Sequence, residues 1–137
     1  MGIAFLGSGS RCNGTLVAIG KAVFLVDCGF NLKQTEQRLA RLQLSPGDLT
    51  AILVSHEHSD HIAGVAALAH RYQISVYASF GTLKNGPQDF TCQAFDGDVP
   101  FELAGVTVNP VVVPHDAREP TQFVFEQDGK RVGVLSD

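Results

Sequence analysis

A chain of 137 residues is the size of one domain, long enough to bury roughly two-thirds of the surface it exposes when unfolded. Hydrophobic residues make up 45% and charged residues 18%, an ordinary globular balance that excludes a disordered or low-complexity chain. The formal net charge is -4, and the ten Lys and Arg are scattered from Arg11 to Arg131, so no basic block marks a surface for tracking a phosphate backbone.

Three cysteines, Cys12, Cys28 and Cys92, leave an odd count without C-x-x-C spacing. Neither a disulfide framework nor a cysteine zinc site is indicated, and a reducing compartment is expected. The N-terminus lacks the basic region and apolar core of a signal peptide. Leu6 breaks the myristoylation pattern behind Gly2, and no apolar run approaches the length of a membrane span. A cytoplasmic protein is the expectation.

Residues 2–6 read as a first strand, followed by the loop Gly7-Ser8-Gly9-Ser10-Arg11-Cys12-Asn13-Gly14. That loop lacks the Gly-Lys-Ser/Thr of a phosphate-binding loop and leads into a strand, so a connection needing glycine dihedrals is expected. Residues 15–19 and 22–27 are apolar and β-branched, and Gly20-Lys21 between them fits a two-residue hairpin with glycine first. The second strand ends at Asp27, which reads as the start of a turn. Cys28 reads as a small buried residue. Residues 31–43 have helical spacing, with Leu32, Leu39 and Leu42 expected to pack on the core, and Ser45-Pro46-Gly47-Asp48 ends the helix.

The centre of the sequence is Ile52-Leu53-Val54-Ser55-His56-Glu57-His58-Ser59-Asp60-His61-Ile62-Ala63-Gly64. An apolar strand, 51–55, runs directly into four strong metal-ligand types, His56, His58, Asp60 and His61. Then Ile62, Val65, Ala66, Leu68, Ala69 and Tyr72 recur at helical spacing. In extended chain, residues two apart point the same way, so His56 and His58 can face one ion. Asp60 and His61, where the chain turns into the helix, can face a second. Imidazole and carboxylate together accept zinc, manganese or iron. Two ions side by side can lower the pKa of a shared water from about 15.7 to about 7, which makes hydrolysis by a metal-bound hydroxide the expected chemistry. The plainer alternative is a set of surface histidines at a helix start, with Asp60 as the cap. Asp60 can cap and ligate at once. His70, near the helix end, is assigned no chemistry.

Residues 74–78 read as a short strand and 79–85 as a helical turn. The stretch 91–102 carries weak signals, with Phe90, Phe95 and Phe101 as packing candidates. Val106 to Val113 reads as a strand with its alternation broken at Pro110, expected at an edge or a bend. It delivers Pro114-His115-Asp116 to its end, and His115 is the candidate for the third protein ligand that an open site beside His56 and His58 needs. Asp128-Gly129, between 121–126 and 131–136, signals a type I′ hairpin. The last strand ends on Asp137.

The run His56-Glu57-His58-Ser59-Asp60-His61 resembles the signature of the metallo-β-lactamase fold hydrolases. Phe5-Leu6-Gly7-Ser8-Gly9-Ser10 and Pro114-His115-Asp116-Ala117 resemble the YycJ/WalJ-type branch, whose members are described as metal-dependent nucleases. The resemblance implies an α/β fold, the N-terminal half of a four-layer αββα sandwich, with a mixed sheet and helices on one face. It implies that 1–137 is a single truncated domain whose second half, with a further histidine ligand, lies outside this chain. It implies His56, His58 and His115 on one divalent ion, and Asp60, His61 and Asp137 on a second, Asp137 bridging the two. Zinc or manganese is implied, with iron as a further option. Asp60 is implied as the catalytic residue that orients the nucleophilic water, Asp27 as a residue that orients the histidine loop, and Asp116 as one that places substrate or the His115 ring. The loop 7–14 is implied near the mouth of the site.

Phosphodiester bonds in DNA are the expected substrate, ahead of small esters, thioesters or lactams. A catalytically incompetent metal-binding or assembly fragment is the alternative from another class. A half sandwich is expected to expose an apolar sheet face and to associate with itself or with the missing C-terminal half.

Overall fold

A computed structural model describes residues 2–7, 13–55, 64–79, 92–95, 99–112 and 121–134. The chain opens on β1 (Gly2–Gly7), β2 (Gly14–Ile19) and β3 (Ala22–Val26), paired antiparallel in that order. Gly20 takes a φ of +59° in the turn between β2 and β3, as glycine first in a two-residue hairpin does. Three strands then add in parallel, β4 (Ala51–Val54), β5 (Val76–Ser79) and β6 (Cys92–Phe95). Helix α1 (Leu32–Arg41) lies between β3 and β4 in the chain, and α2 (Val65–Tyr72) between β4 and β5.

Local chemistry explains where α1 begins. The Asn31 side chain accepts the Gln34 N–H at 2.8 Å, and the Gln34 side-chain oxygen accepts the Asn31 N–H at 3.1 Å, so two otherwise orphaned donors are satisfied reciprocally.

The second sheet is antiparallel, made of β7 (Phe101–Leu103), β8 (Val106–Val112), β9 (Thr121–Gln127) and β10 (Lys130–Val134), in the order β10-β9-β8-β7. Asp128 and Gly129 both have positive φ, 52° and 81°, the type I′ geometry expected between β9 and β10. Ala104 and Gly105 repeat it between β7 and β8, at 52° and 79°.

Alternation along the first sheet divides its side chains between two cores. Leu16, Leu25, Ile52 and Val76 pack with Leu39 and Leu68 under the helices. Val17, Phe24 and Leu53 pack with Val108, Phe123 and Phe125 of the second sheet, where the Phe24 and Phe125 rings stack at 5.1 Å between centroids. Helices, mixed sheet and second sheet are thus three layers of the expected sandwich.

Several expectations need correction. Leu42 is 42% exposed, because α1 ends at Arg41 and the chain turns before Leu42 can reach the core. Of the edge or bend expected at Pro110, the strand as a whole is not an edge, since β8 lies between β9 and β7. The proline is tolerated because β7 pairs with β8 from Val106 to Val108, and Pro110, opposite Phe123 of β9, falls past that pairing. The weakly signalled stretch 91–102 contains most of two strands, β6 and β7. The outward face of the second sheet is mixed. Thr107, Asn109, Gln122 and Glu126 sit there beside Val111 and Val124, since each alternates with a residue buried against the first sheet. Phe90 and most of the helical turn expected at 79–85 lie outside the described residues.

The contrast between the two cores and the end of α1 is measurable. Phe24→Ala is expected to lower the unfolding free energy by about 3–5 kcal/mol and Leu42→Ala by less than about 0.5 kcal/mol, read from urea unfolding curves of equal slope.

Candidate metal centre

Of the residues assigned to the site from sequence, Asp27 is described. His56, His58, Asp60, His61, His115, Asp116 and Asp137 lie outside the described residues. Among the described residues no group of three or more His, Cys, Asp or Glu is placed to hold a metal ion. The residues from which the histidine stretch leaves and to which it returns, Ser55 and Gly64, are described.

The frame around them starts where β3 and β4 end side by side, the end of a parallel sheet at which loops build ligand sites. Val26 pairs with Leu53. Asp27 then enters the left-handed region at a φ of 65°, and its N–H donates to the Leu53 carbonyl at 2.7 Å. The turn ends β3 and sends the carboxylate inward, where the residue is 1% exposed. Ser55, the residue before His56, donates its N–H to Asp27 Oδ1 at 2.7 Å and its hydroxyl to Oδ2 at 2.6 Å. A carboxylate removed from water needs donors of this kind on both oxygens.

The next residues hold the far end of the same stretch. The Cys28 carbonyl accepts the Gly64 N–H at 2.8 Å, and Gly64 directly precedes α2. Cys28 is fully buried, as expected, with Sγ 3.3 Å from the Thr35 hydroxyl oxygen. Gly29 donates to the Asn13 carbonyl at 2.9 Å, which ties in the chain just after residues 8–12. The Phe30 ring lies under the Arg38 guanidinium, 4.3 Å from ring centroid to Cζ, and Arg38 donates to the Leu6 carbonyl. Four consecutive residues, Asp27 to Phe30, therefore hold chain on both sides of 56–63 and of 8–12.

Sequence reasoning singled out Asp27 and passed over Ser55, Gly64 and Arg38. Gly64 carried a usable signal, because a glycine where a helix begins forgoes the stronger side-chain caps. The expectation that glycines in the 7–14 loop supply unusual dihedrals does not hold for its two ends. Gly7 and Gly14 are absent from the positive-φ glycines, and a Cβ on them would meet Phe30 Cζ at 2.5 Å and Phe30 Cε2 at 3.2 Å. Space against the Phe30 ring is what they provide. Among the described residues, a cavity of about 350 Å³ is lined by Tyr77, Gln93, Phe95 and Phe101 together with their neighbours.

A mixed sheet with helices on one face, a second sheet on the other and a His-rich stretch leaving the end of β4 define a fold class. The family model for the Metallo-beta-lactamase superfamily matches residues 7–134, and the chain belongs to that superfamily. Within it, the chain is 35% identical to exodeoxyribonuclease YycJ of Bacillus anthracis, an alignment covering 100% of this chain and 55% of that protein. It is 34% identical to exodeoxyribonuclease WalJ of Streptococcus pneumoniae strain D39, covering 98% and 53%, and 30% identical to ribonuclease Z of Mycobacterium marinum, covering 88% and 45%. The chain spans about half the length of the curated relatives it matches.

Solved structures agree on the fold. A metallo-beta-lactamase of Cronobacter sakazakii superposes with a TM-score of 0.78 at 22% identity, over 95% of this chain and 59% of that one. Rm3 metallo-beta-lactamase gives 0.79 at 18%, over 96% and 56%. No helix among the described residues is long and apolar enough to cross a membrane.

Asp27→Ala is expected to lower stability by at least about 2 kcal/mol, since it strands two buried donors of Ser55 and puts a Cβ without polar compensation at positive φ. Asp27→Asn is expected to cost less than half of that, because asparagine tolerates the left-handed region and the Ser55 hydroxyl can turn to accept. Urea unfolding of the two variants beside the parent checks the ordering.

Proposed function

We propose that this chain forms the ligand-bearing half of a metal-dependent hydrolase that cleaves phosphodiester bonds in DNA. The observation that carries the reading is its identity of 34–35% with two proteins named exodeoxyribonucleases over essentially its whole length. The two lactamases compared above, which share the fold, are 22% and 18% identical. A ribonuclease among the relatives supports nucleic acid as the substrate class.

The donor set suits the chemistry. His56, His58 and His115 would hold one divalent ion, and Asp60, His61 and Asp137 would contribute to a second. Imidazole nitrogens with carboxylate oxygens fit zinc or manganese and also accept iron. When bound, such ions supply an acidified water as nucleophile and positive charge against the developing oxyanion. Asp60 orients that water, and Asp116 places substrate or the His115 ring. Asp27 acts through Ser55 on the chain just before His56, the kind of outer contact that fixes ligand orientation. The net charge of -4 and the scattered Lys and Arg give little general attraction for phosphates, so affinity rests on the site and binding should depend only weakly on salt.

Turnover is assigned to an assembly with a second, C-terminal half or a second copy. Two observations support this. The relatives are nearly twice as long, and Ile3 and Phe5 of the edge strand β1 are 45% and 70% exposed. They lie opposite Val17 and Thr15, on the face that the second sheet covers elsewhere. A reducing cytoplasm fits the odd cysteine count and the buried Cys28 thiol.

Elemental mass spectrometry of the purified chain is expected to find about one to two metal equivalents, lost in a His56→Ala, His58→Ala double variant. With zinc or manganese added, a full-length chain is expected to shorten end-labelled duplex DNA and to leave thioesters and lactams intact. No metal-dependent loss of duplex would sink the DNA reading, and turnover of lactam or thioester alone would replace it with the small-substrate one.

A further inference from the structure

Gly64 occupies a place where no side chain fits, for a reason unrelated to its backbone torsions. Its φ of -97° and ψ of -3° are open to residues that carry a side chain. A Cβ there would lie 1.7 Å from the Phe30 carbonyl oxygen, 2.9 Å from the Phe30 carbonyl carbon and 3.2 Å from the Cys28 carbonyl oxygen. These are main-chain atoms, so no rotamer change relieves the clash. The same approach brings the Gly64 N–H to the Cys28 carbonyl at 2.8 Å. Any larger residue must lift the start of α2 from this loop by more than about 1 Å to reach an ordinary contact distance.

The other end of the stretch is fixed separately, by Ser55 on Asp27. Moving Gly64 therefore changes the spacing of the two ends and leaves Ser55 where it is. Metal–ligand distances tolerate deviations of only about 0.2 Å. We propose that Gly64 is a positioning residue for the metal site: its lack of a side chain lets the Cys28–Phe30 main chain set the spacing across residues 56–63, and so the metal affinity. The inference rests on reading His56, His58, Asp60 and His61 as ligands.

The experiment has two arms on the 137-residue chain. In the metal-free protein, amide exchange of Gly64 is followed by NMR. Protection comparable to the amides inside α2 is expected, and exchange at the rate of an unfolded chain overturns the proposal. In the second arm, zinc affinity is measured by competition with a chromophoric chelator for the parent, Gly64→Ala, and Val132→Ala as a destabilised control in the other core. Folded Gly64→Ala is expected to bind zinc about 10- to 100-fold more weakly, while Val132→Ala keeps the parental affinity. Parental affinity in folded Gly64→Ala, or an equal loss in Val132→Ala, overturns the proposal.

If Gly64→Ala does not fold, Ser55→Ala carries the affinity comparison, because it removes the hydroxyl bond to Asp27 at the opposite end. Weakened zinc binding supports positioning by the frame, and unchanged binding overturns it. A parent chain that binds no zinc overturns the ligand reading instead, and the exchange arm then decides the Gly64 contact by itself.

Discussion

The buried carboxylate of Asp27 is the constraint around which the candidate site is arranged. Carrying a charge into a place that is 1% exposed costs several kcal/mol unless hydrogen bonds compensate it. Ser55 supplies two, at 2.7 and 2.6 Å. The pairing works because Asp27 leaves the β region at its φ of 65°, so its carboxylate reaches across to the neighbouring strand end. Its N–H meanwhile extends the link between β3 and β4 by one more bond, to Leu53. Charge burial, an unusual backbone torsion and the parallel register all serve one junction, and the histidine stretch begins at the next residue.

That junction is only as firm as the strands beneath it. Every residue of β4 from Ala51 to Val54 is buried, the pattern of a parallel strand covered on both faces. Ile52 and Val54 belong to the core under the helices and Leu53 to the core under the second sheet. The two cores hold β3 and β4 between them, and the residues that follow leave from a base with little freedom. Functional groups placed on such a base keep their geometry better than groups on an isolated loop.

Local chemistry made much of this legible. Gly20-Lys21 and Asp128-Gly129 announce hairpins because few residues adopt positive φ, and the ligand-rich run after β4 announces itself by composition. Interactions between distant residues left no such trace. Asp27 taken alone is a turn residue, and its partner Ser55 is 28 positions away. The end of α1 was overrun by helical spacing that continued into Leu42. Strands β6 and β7 are short, and the turn after β7 puts Ala104 at a φ of 52°, a torsion that alanine does not advertise. Pro110 argued for an edge or a bend, and sequence does not show that β8 is an inner strand whose pairing with β7 ends at Val108, before the proline. The candidate ligands remain a reading of motif and spacing, since they lie outside the described residues.

Phe30 gives the clearest case of a residue whose meaning exists only in three dimensions. Three glycines, Gly7, Gly14 and Gly64, lie far apart in the chain, yet a Cβ on any of them would run into Phe30, into its ring for the first two and its carbonyl for the third. Arg38 lies over the same ring and donates to Leu6 beside Gly7. A glycine-rich opening loop invites comparison with phosphate-binding loops, whose glycines allow a ligand to approach the backbone. At Gly7 and Gly14 the approaching group is an aromatic ring of the protein itself. Phe30 thus holds Gly7 and Gly14 with its ring and Gly64 with its main chain, beside the loop that carries Asp27.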